Sequence, residues 1–153
     1  MAVQRTLVLL KPDAVQRGLC GEIIRRFEQK GLTLVGMRLM KADQATAEAH
    51  YAAHKDRPFF PALMSFITGS PLVAVALQGD EAVSVVRTLV GATDGRKADP
   101  GTVRGDFGIS VGANLVHGSD SAESAEAELA IWFPNGDGLV DWQRCDTPWL
   151  DAD

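Results

Sequence analysis

The sequence predicts one α/β domain of the α+β kind, in βαββαβ order. Such a chain forms a split βαβ sandwich, with helices on one face of a four-stranded antiparallel sheet. Three observations carry this expectation. The 153 residues are 46% hydrophobic, enough for a single soluble domain around one core. Four β-rich runs alternate with stretches of helical periodicity, and no repeat, low-complexity tract or linker separates them. The first run, Val3 to Leu10, is β-rich and largely apolar without clean alternation, as expected of a central strand covered on both sides.

The elements follow in order. Lys11 emerges at the end of the first strand, where Pro12 stops it. Gly21 to Lys30 reads as a helix with Ile23, Ile24 and Phe27 on one face and Gly31 as its C-terminal stop. Leu32 to Met40 is a second strand. Asp43 is an N-cap for a short helix through Tyr51. Pro58 suits the first turn of a helix carrying Phe59, Phe60, Leu63, Phe66 and Ile67 and closed by Gly69. A third strand runs from Leu72 to Leu77. Gly79-Asp80 reads as the cap of a helix with Val83, Val86, Leu89 and Val90 inside and Gly91 at its end. Ala92 to Gly112 is rich in Gly, Asp and Thr and lacks periodicity. Its length points to a functional loop or short irregular turns. A brief fourth strand delivers His117, and Asp120 or Ser121 caps the next helix. That helix has Ala125, Leu129, Trp132 and Phe133 on its apolar face and Glu128 at the margin, and Pro134 ends it.

Composition excludes several functions. No apolar run approaches the roughly 20 residues that cross a bilayer, and the short run after Gln4-Arg5 lacks the form of a secretory leader. A cytoplasmic protein without membrane contact is expected. Cys20 and Cys145 are far apart with no CxxC, which indicates two reduced thiols. The net charge of −5 is uneven: residues 118–153 hold nine acids and one base, while residues 1–117 hold fourteen bases and eleven acids. Cations for any anion site must come from the first part. No basic run with interleaved aromatics points to nucleic acid. Aspartate outnumbers glutamate 13 to 7, a bias shared by salt-adapted proteins, GC-rich genomes and ordinary drift.

No GxxxxGK[ST] and no GxGxxG follows a strand, so bound phosphates would have to be held by side chains. Lys11 at a strand end, Arg87 near a helix end, and Arg104 in the long loop with Thr93 and Thr102 are the candidates. His117, at a strand end before Gly118, is either a strand-capping histidine or an imidazole open to a cleft as nucleophile, proton carrier or ligand. His50 and His54 have the i, i+4 spacing of a zinc pair but no third ligand in sequence. Ser119 and Ser121 lack the GxSxG elbow of a hydrolase, and capping accounts better for Ser121. Arg104-Gly105-Asp106 spells an adhesion tripeptide, read as coincidence without a secretory signal.

Asn114-Leu115-Val116-His117-Gly118-Ser119-Asp120-Ser121 resembles the active-site signature of nucleoside diphosphate kinases, Asn-x-x-His-Gly-Ser-Asp. Further matches are Thr6-Leu7-Val8-Leu9-Leu10-Lys11-Pro12-Asp13-Ala14, Arg57-Pro58-Phe59-Phe60, Gly69-Ser70-Pro71, Gly91-Ala92-Thr93, Pro100-Gly101-Thr102-Val103-Arg104-Gly105-Asp106-Phe107 and Glu126-Ala127-Glu128-Leu129. The resemblance spans residues 3 to 150 and treats 1–153 as a single domain. It implies a ferredoxin-like βαββαβ core. The implied reaction moves the γ-phosphate of a nucleoside triphosphate, typically ATP, to a nucleoside diphosphate. It runs by a ping-pong cycle through a phosphohistidine at His117, with broad base choice and Mg2+ as cofactor. Glu128 would orient the ring, with Tyr51 and Ser119 supporting the histidine and the transferred phosphate. Lys11, Arg87, Thr93 and Arg104 would hold phosphates, and Asn114 with Lys11 would reach the ribose. Phe59 would stack on the base with His54 and Leu63 nearby, and Asp120 would lie near the magnesium. The family also implies a homo-oligomer, with hexamer favoured over tetramer or dimer. Two departures stand out. Asp94-Gly95 replaces a common Asn-Pro, which is expected to free a loop at subunit contacts. The tail Pro148 to Asp153 lacks the usual final Tyr-Glu.

Overall fold

The structure, a computed structural model, describes residues 3–150. Strand β1 (Val3–Leu10) leads into a short helix α1 (Pro12–Gln16), then α2 (Cys20–Lys30) and strand β2 (Thr33–Met40). Helix α3 (Gln44–His50), a 3-10 turn at Ala52–His54 and helix α4 (Phe60–Thr68) precede β3 (Leu72–Asp80) and α5 (Ala82–Val90). Helix α6 (Val103–Phe107), strand β4 (Val116–Gly118) and α7 (Ala122–Trp132) follow, then a 3-10 turn at Pro134–Gly136 and α8 (Thr147–Leu150). The sheet is antiparallel in the order β2-β3-β1-β4. The βαββαβ order is therefore as the sequence predicts.

The placement of helices is not. They cover both faces of the sheet. Val8, Leu10, Val73, Val75 and Leu77 pack against Ile23, Phe27, Val86 and Val103. Leu7, Leu9, Leu72, Ala74 and Ala76 pack against Ala47, Met64, Ile67 and Trp132 on the other side. The period-2 alternation of a strand turns successive β1 residues to opposite faces, so the unbroken apolar stretch Leu7 to Leu10 requires two covering layers. That run already contained the correction, since a helix layer on one face would leave half of it in water.

Other differences are local. Pro12, expected only to stop β1, also begins α1, because its fixed φ suits the first helical position. Gly79 and Asp80 do not cap α5. They extend β3 by pairing with Gln4 and Val3, and Glu81, at φ 50, opens the helix. Helix α4 begins at Phe60 with Pro61 in its first turn, and Gly69 ends it with an ordinary negative φ. Between Asp120 and Ser121 the structure selects Ser121, whose hydroxyl accepts the Ser124 N–H. The Asp43 cap on Thr46 and the left-handed Gly31 (φ 108) are as expected.

The segment from Ala92 to Gly112 is not loose. Asp94 accepts backbone bonds from Lys97 and Ala98, and Thr102 caps α6. Gly95, expected to free this loop, is buried, and a Cβ there would lie 2.4 Å from the Gly108 carbonyl oxygen. Glycine is required here by close backbone contact. Gly95→Ala is expected to cost about 2 kcal/mol, as overpacking does, and to lower the melting temperature by several degrees. An unchanged melting curve would contradict this. Among the described residues no helix is long and apolar enough to cross a membrane, and Cys20 and Cys145 are free thiols.

Candidate active site

The histidine strand is short but strongly held. β4 pairs with β1 through Val8↔Gly118, Leu9↔His117 and Leu10↔Val116. Its approach is strained. Leu115 is fully buried at φ 73, and the Val116 N–H donates to the Asn114 carbonyl at 2.8 Å. An i→i+2 bond about a positive-φ residue is the rare form of γ-turn, and a leucine adopts it only where neighbours over-determine it. They do so here. The Lys11 N–H donates to the Leu115 carbonyl at 2.8 Å, and the Leu115 N–H donates to Asp13 Oδ2 at 3.0 Å. The Arg104 guanidinium donates to the carbonyls of Asn114 (3.2 Å), Gly91 (3.1 Å) and Val116.

This turn aims His117 at helix α7. His117 Nε2 lies 2.7 Å from Glu128 Oε1, and the Ser119 hydroxyl donates to the same oxygen at 2.8 Å. Burial raises the Glu128 pKa, but the bonds from His117 and Ser119 and the His117 charge outweigh it, so the carboxyl stays below its usual range. An ionised carboxylate only accepts. The proton of neutral His117 therefore sits on Nε2, and Nδ1 keeps its lone pair. Ser119 is fully buried, and its oxygen also accepts the Leu7 N–H at 3.3 Å.

Cations gather along the same strand. Lys11 Nζ donates to Asn114 Oδ1 at 2.6 Å, and Asn114 Nδ2 donates to the Thr93 carbonyl at 3.1 Å. Burial, then the Arg104 charge, lowers the Lys11 pKa to about 8 against a smaller opposing pull from Asp13. Burial and Arg87 lower Arg104 to about 10. Arg87 is exposed on α5 and reaches the Gly118 carbonyl at 3.3 Å. Lys11, Arg104 and Arg87 together form a ready site for a polyanion, with the Arg104 charge bearing on Lys11 and the Arg87 charge on Arg104. Asp120 is exposed near them. A bond from Ser124 lowers its pKa against a small cost of burial, with help from the Arg87 charge.

Aromatic rings form a row leading away from His117. His50 meets His117 edge-on at 4.5 Å and 85°, and Tyr51 meets His50 at 4.5 Å and 87°. His54 lies 6.4 Å from Tyr51 and 5.6 Å from Phe59, which is 51% exposed and so available for stacking. Leu63, expected near the base, packs against the second core cluster. The structure thus brings His117, Glu128 and Ser119 together directly, and Lys11, Asn114, Thr93, Arg87 and Arg104 around them. The Tyr51 ring packs edge-on against His50, and burial followed by the Glu128 charge pushes its phenol well above the usual range.

Two site residues were not identified from the sequence. In the sequence His50 stands out only as an i, i+4 zinc partner of His54. It groups instead with His117 and Glu128, whose donor atoms and its own all lie within 4.8 Å of one another. Burial, then the His117 charge, lowers its pKa to about 3, so it is neutral. Trp132, read as core, donates its indole N–H to His50 Nδ1 at 3.0 Å. The adhesion tripeptide is not presented to a partner: Arg104 is buried, and Asp106 pairs with Arg26 at 2.7 Å.

Comparison with known proteins points one way. A family model described as nucleoside diphosphate kinase matches residues 4–137. A nucleoside diphosphate kinase of Nostoc punctiforme is 53% identical over 97% of this chain and 99% of its own length. A halophilic nucleoside diphosphate kinase from Halobacterium salinarum, solved in complex with CDP, superposes with TM-score 0.94 at 48% identity, covering 98% of this chain and 99% of that one. A family protein from Babesia bovis gives TM-score 0.94 at 43% identity, over 97% of this chain and 99% of its own. With a matching fold, a matching histidine site and relatives of this similarity over nearly its full length, the chain belongs to the nucleoside diphosphate kinase family of enzymes.

Proposed function

We propose that the protein transfers the γ-phosphate of a nucleoside triphosphate to a nucleoside diphosphate through a phosphohistidine on His117. The observation that carries this reading is the Glu128–His117 bond, which leaves Nδ1 with its lone pair on a strand whose neighbouring carbonyls are held by Arg87 and Arg104. In the first half, Nδ1 attacks the γ-phosphorus, the bond to the β-γ bridging oxygen breaks, and the diphosphate leaves. The ring becomes an imidazolium whose Nε2–H remains on the Glu128 carboxylate. In the second half a terminal oxygen of the acceptor diphosphate attacks the same phosphorus and the N–P bond breaks. Neither step needs a net proton transfer, so positioning and charge neutralisation carry the chemistry.

Lys11, Arg87, Thr93 and Arg104 hold the phosphates in this reading, Asn114 and Lys11 meet the ribose, and Phe59 stacks on the base. Stacking without base hydrogen bonds supports broad base choice. Magnesium bound to the nucleotide supplies charge neutralisation on the phosphate oxygens. The exposed, ionised Asp120 fits a water-mediated hold on such an ion, because magnesium keeps its waters and accepts one or two carboxylates. A homo-oligomer, with hexamer favoured, accords with exposed Met37 and Leu39 on edge strand β2 and Ile109 and Val111 in the loop. Light scattering at six chain masses checks it. The two free thiols fit a reducing cytoplasm.

Formation of GTP from ATP and GDP with magnesium tests the function. Parallel lines in double-reciprocal plots are expected, and absence of turnover with every donor–acceptor pair would overturn it. Two further outcomes follow from the site. Glu128→Gln places an amide donor opposite Nε2 and favours the tautomer with its proton on Nδ1, so kcat should fall by about 10²- to 10³-fold. A change under threefold would refute the role given to Glu128. Lys11 loses its charge as pH rises through about 8, so the diphosphate KM should climb roughly several-fold between pH 7.5 and 9.5. Lys11→Gln should abolish that climb. The same lowered pKa means folding stability gains from this group between about 8 and its ordinary 10.5, where the unfolded chain binds the extra proton.

A further inference from the structure

The contacts of His50 go beyond support for a fold. Its Nδ1 accepts the Trp132 indole N–H at 3.0 Å, with Trp132 only 1% exposed. An indole N–H only donates, so Nδ1 carries the lone pair and the proton of the neutral ring sits on Nε2. A ring nitrogen of His50 also lies within 4.8 Å of both a His117 ring nitrogen and a Glu128 carboxylate oxygen. Two imidazoles and a carboxylate at this spacing are the donor set of a zinc site. To ligate through Nε2, His50 would have to move its proton to Nδ1. That would set N–H against N–H in a buried contact and leave both donors unsatisfied. The tautomer also matters without metal. An Nε2 bearing a proton cannot accept the His117 Nε2–H, so that proton stays with Glu128. Around His50 stand His117 on β4, Glu128 on α7, Lys11 at the end of β1, Tyr51 after α3 and His54 in the 3-10 turn.

We propose that Trp132 and His50 are a positioning pair. The indole N–H pins His50 with its proton on Nε2, reserving Glu128 for His117 and closing the His50–His117–Glu128 group to divalent transition-metal cations. The first consequence rests on reading His117 as the phosphate acceptor. The second concerns the apo protein alone.

The test uses the nucleotide-free full chain with zinc as probe. Wild type, Trp132→Phe and the double variant Trp132→Phe/His50→Phe are titrated with zinc by calorimetry. Histidine tautomers are read from nitrogen-15 NMR. Wild type should show one His50 tautomer, with the proton on Nε2. Trp132→Phe should show a mixture and bind zinc about tenfold or more tightly, from relief of the donor–donor conflict. The double variant should lose that gain while keeping any zinc bound by Cys20 or Cys145, which all three proteins share. Equal zinc affinity in wild type and Trp132→Phe would overturn the proposal, as would persistence of the gain in the double variant. A purely packing role for Trp132 would loosen both variants alike and produce no zinc response that depends on His50. Should Trp132→Phe fail to fold, the wild-type spectrum still decides: a proton on His50 Nδ1 would overturn the pinning. No measurement here involves nucleotide, so a failure is distinguishable from a failure of phosphoryl transfer.

Discussion

Replacing His117 by alanine is expected to lower turnover by at least about 10⁴-fold, since loss of a covalent nucleophile removes the whole reaction path rather than one contact. No neighbour can substitute. The Ser119 hydroxyl is buried and committed to Glu128, the Tyr51 phenol is pushed away from ionisation, and Lys11 Nζ is bonded to Asn114. The fold should survive. His117 contributes one side-chain hydrogen bond, which is worth about 1 kcal/mol, so a melting shift of only a few degrees is expected. Phosphate incorporation from labelled ATP should vanish in parallel. Residual turnover within a hundredfold of wild type would place the nucleophile elsewhere.

Arg104→Met is expected to damage stability and activity together. The guanidinium donates to three backbone carbonyls, of Gly91, Asn114 and Val116, and two of them bracket the strained turn at Leu115. Burial pulls its pKa down to about 10, so the charge is costly, yet it persists at neutral pH. Methionine is close in volume but removes all three bonds, leaving the Asn114 carbonyl only the Val116 N–H, at about 1–3 kcal/mol for each buried carbonyl left unpaired. A net loss of about 3 kcal/mol follows, some of the cost being offset by relief of the buried charge. The Asn114–Val116 turn, released from one side, should then relax and move His117 off its line, with kcat/KM falling by about 10³-fold. Arg104→Lys separates the two contributions. It keeps the positive charge for phosphate but one ammonium cannot reach three carbonyls, so it should recover more affinity for nucleotide than stability. A loss under about 0.5 kcal/mol, typical of surface sites, would show that Arg104 does not hold the turn.

Much of this architecture is legible in the residues. The apolar stretch Leu7 to Leu10, within the β-rich run from Val3, announces a central strand, and Asp43, Ser121 and Gly31 mark helix ends because their capping chemistry is local. What depends on long-range pairing is not legible. Gly79-Asp80 has the look of a cap but is claimed by the ladder to Gln4 and Val3, seventy-odd residues earlier. Gly95 looks permissive, and only its contact with Gly108 shows that it is obligatory. At the site, the motif around His117 is explicit because its residues are contiguous, whereas helical spacing puts Glu128 only at the margin of a face and its role comes from the family resemblance. His50 is invisible as a neighbour of His117, since residues 50, 117 and 132 meet only through folding. The strain at Leu115 is equally silent, because nothing in a buried leucine forecasts a positive φ.

The two His117 roles, acceptor and donor of phosphate, are separable in one experiment. The protein is charged with labelled ATP and magnesium, freed of nucleotide, and mixed with GDP in a single turnover. An acid-labile, alkali-stable phosphate on His117 Nδ1 is expected, one that passes stoichiometrically to GDP and forms GTP in the absence of ATP. A protein that turns over ATP and GDP yet carries no such phosphate, or carries one that GDP does not discharge, would contradict it.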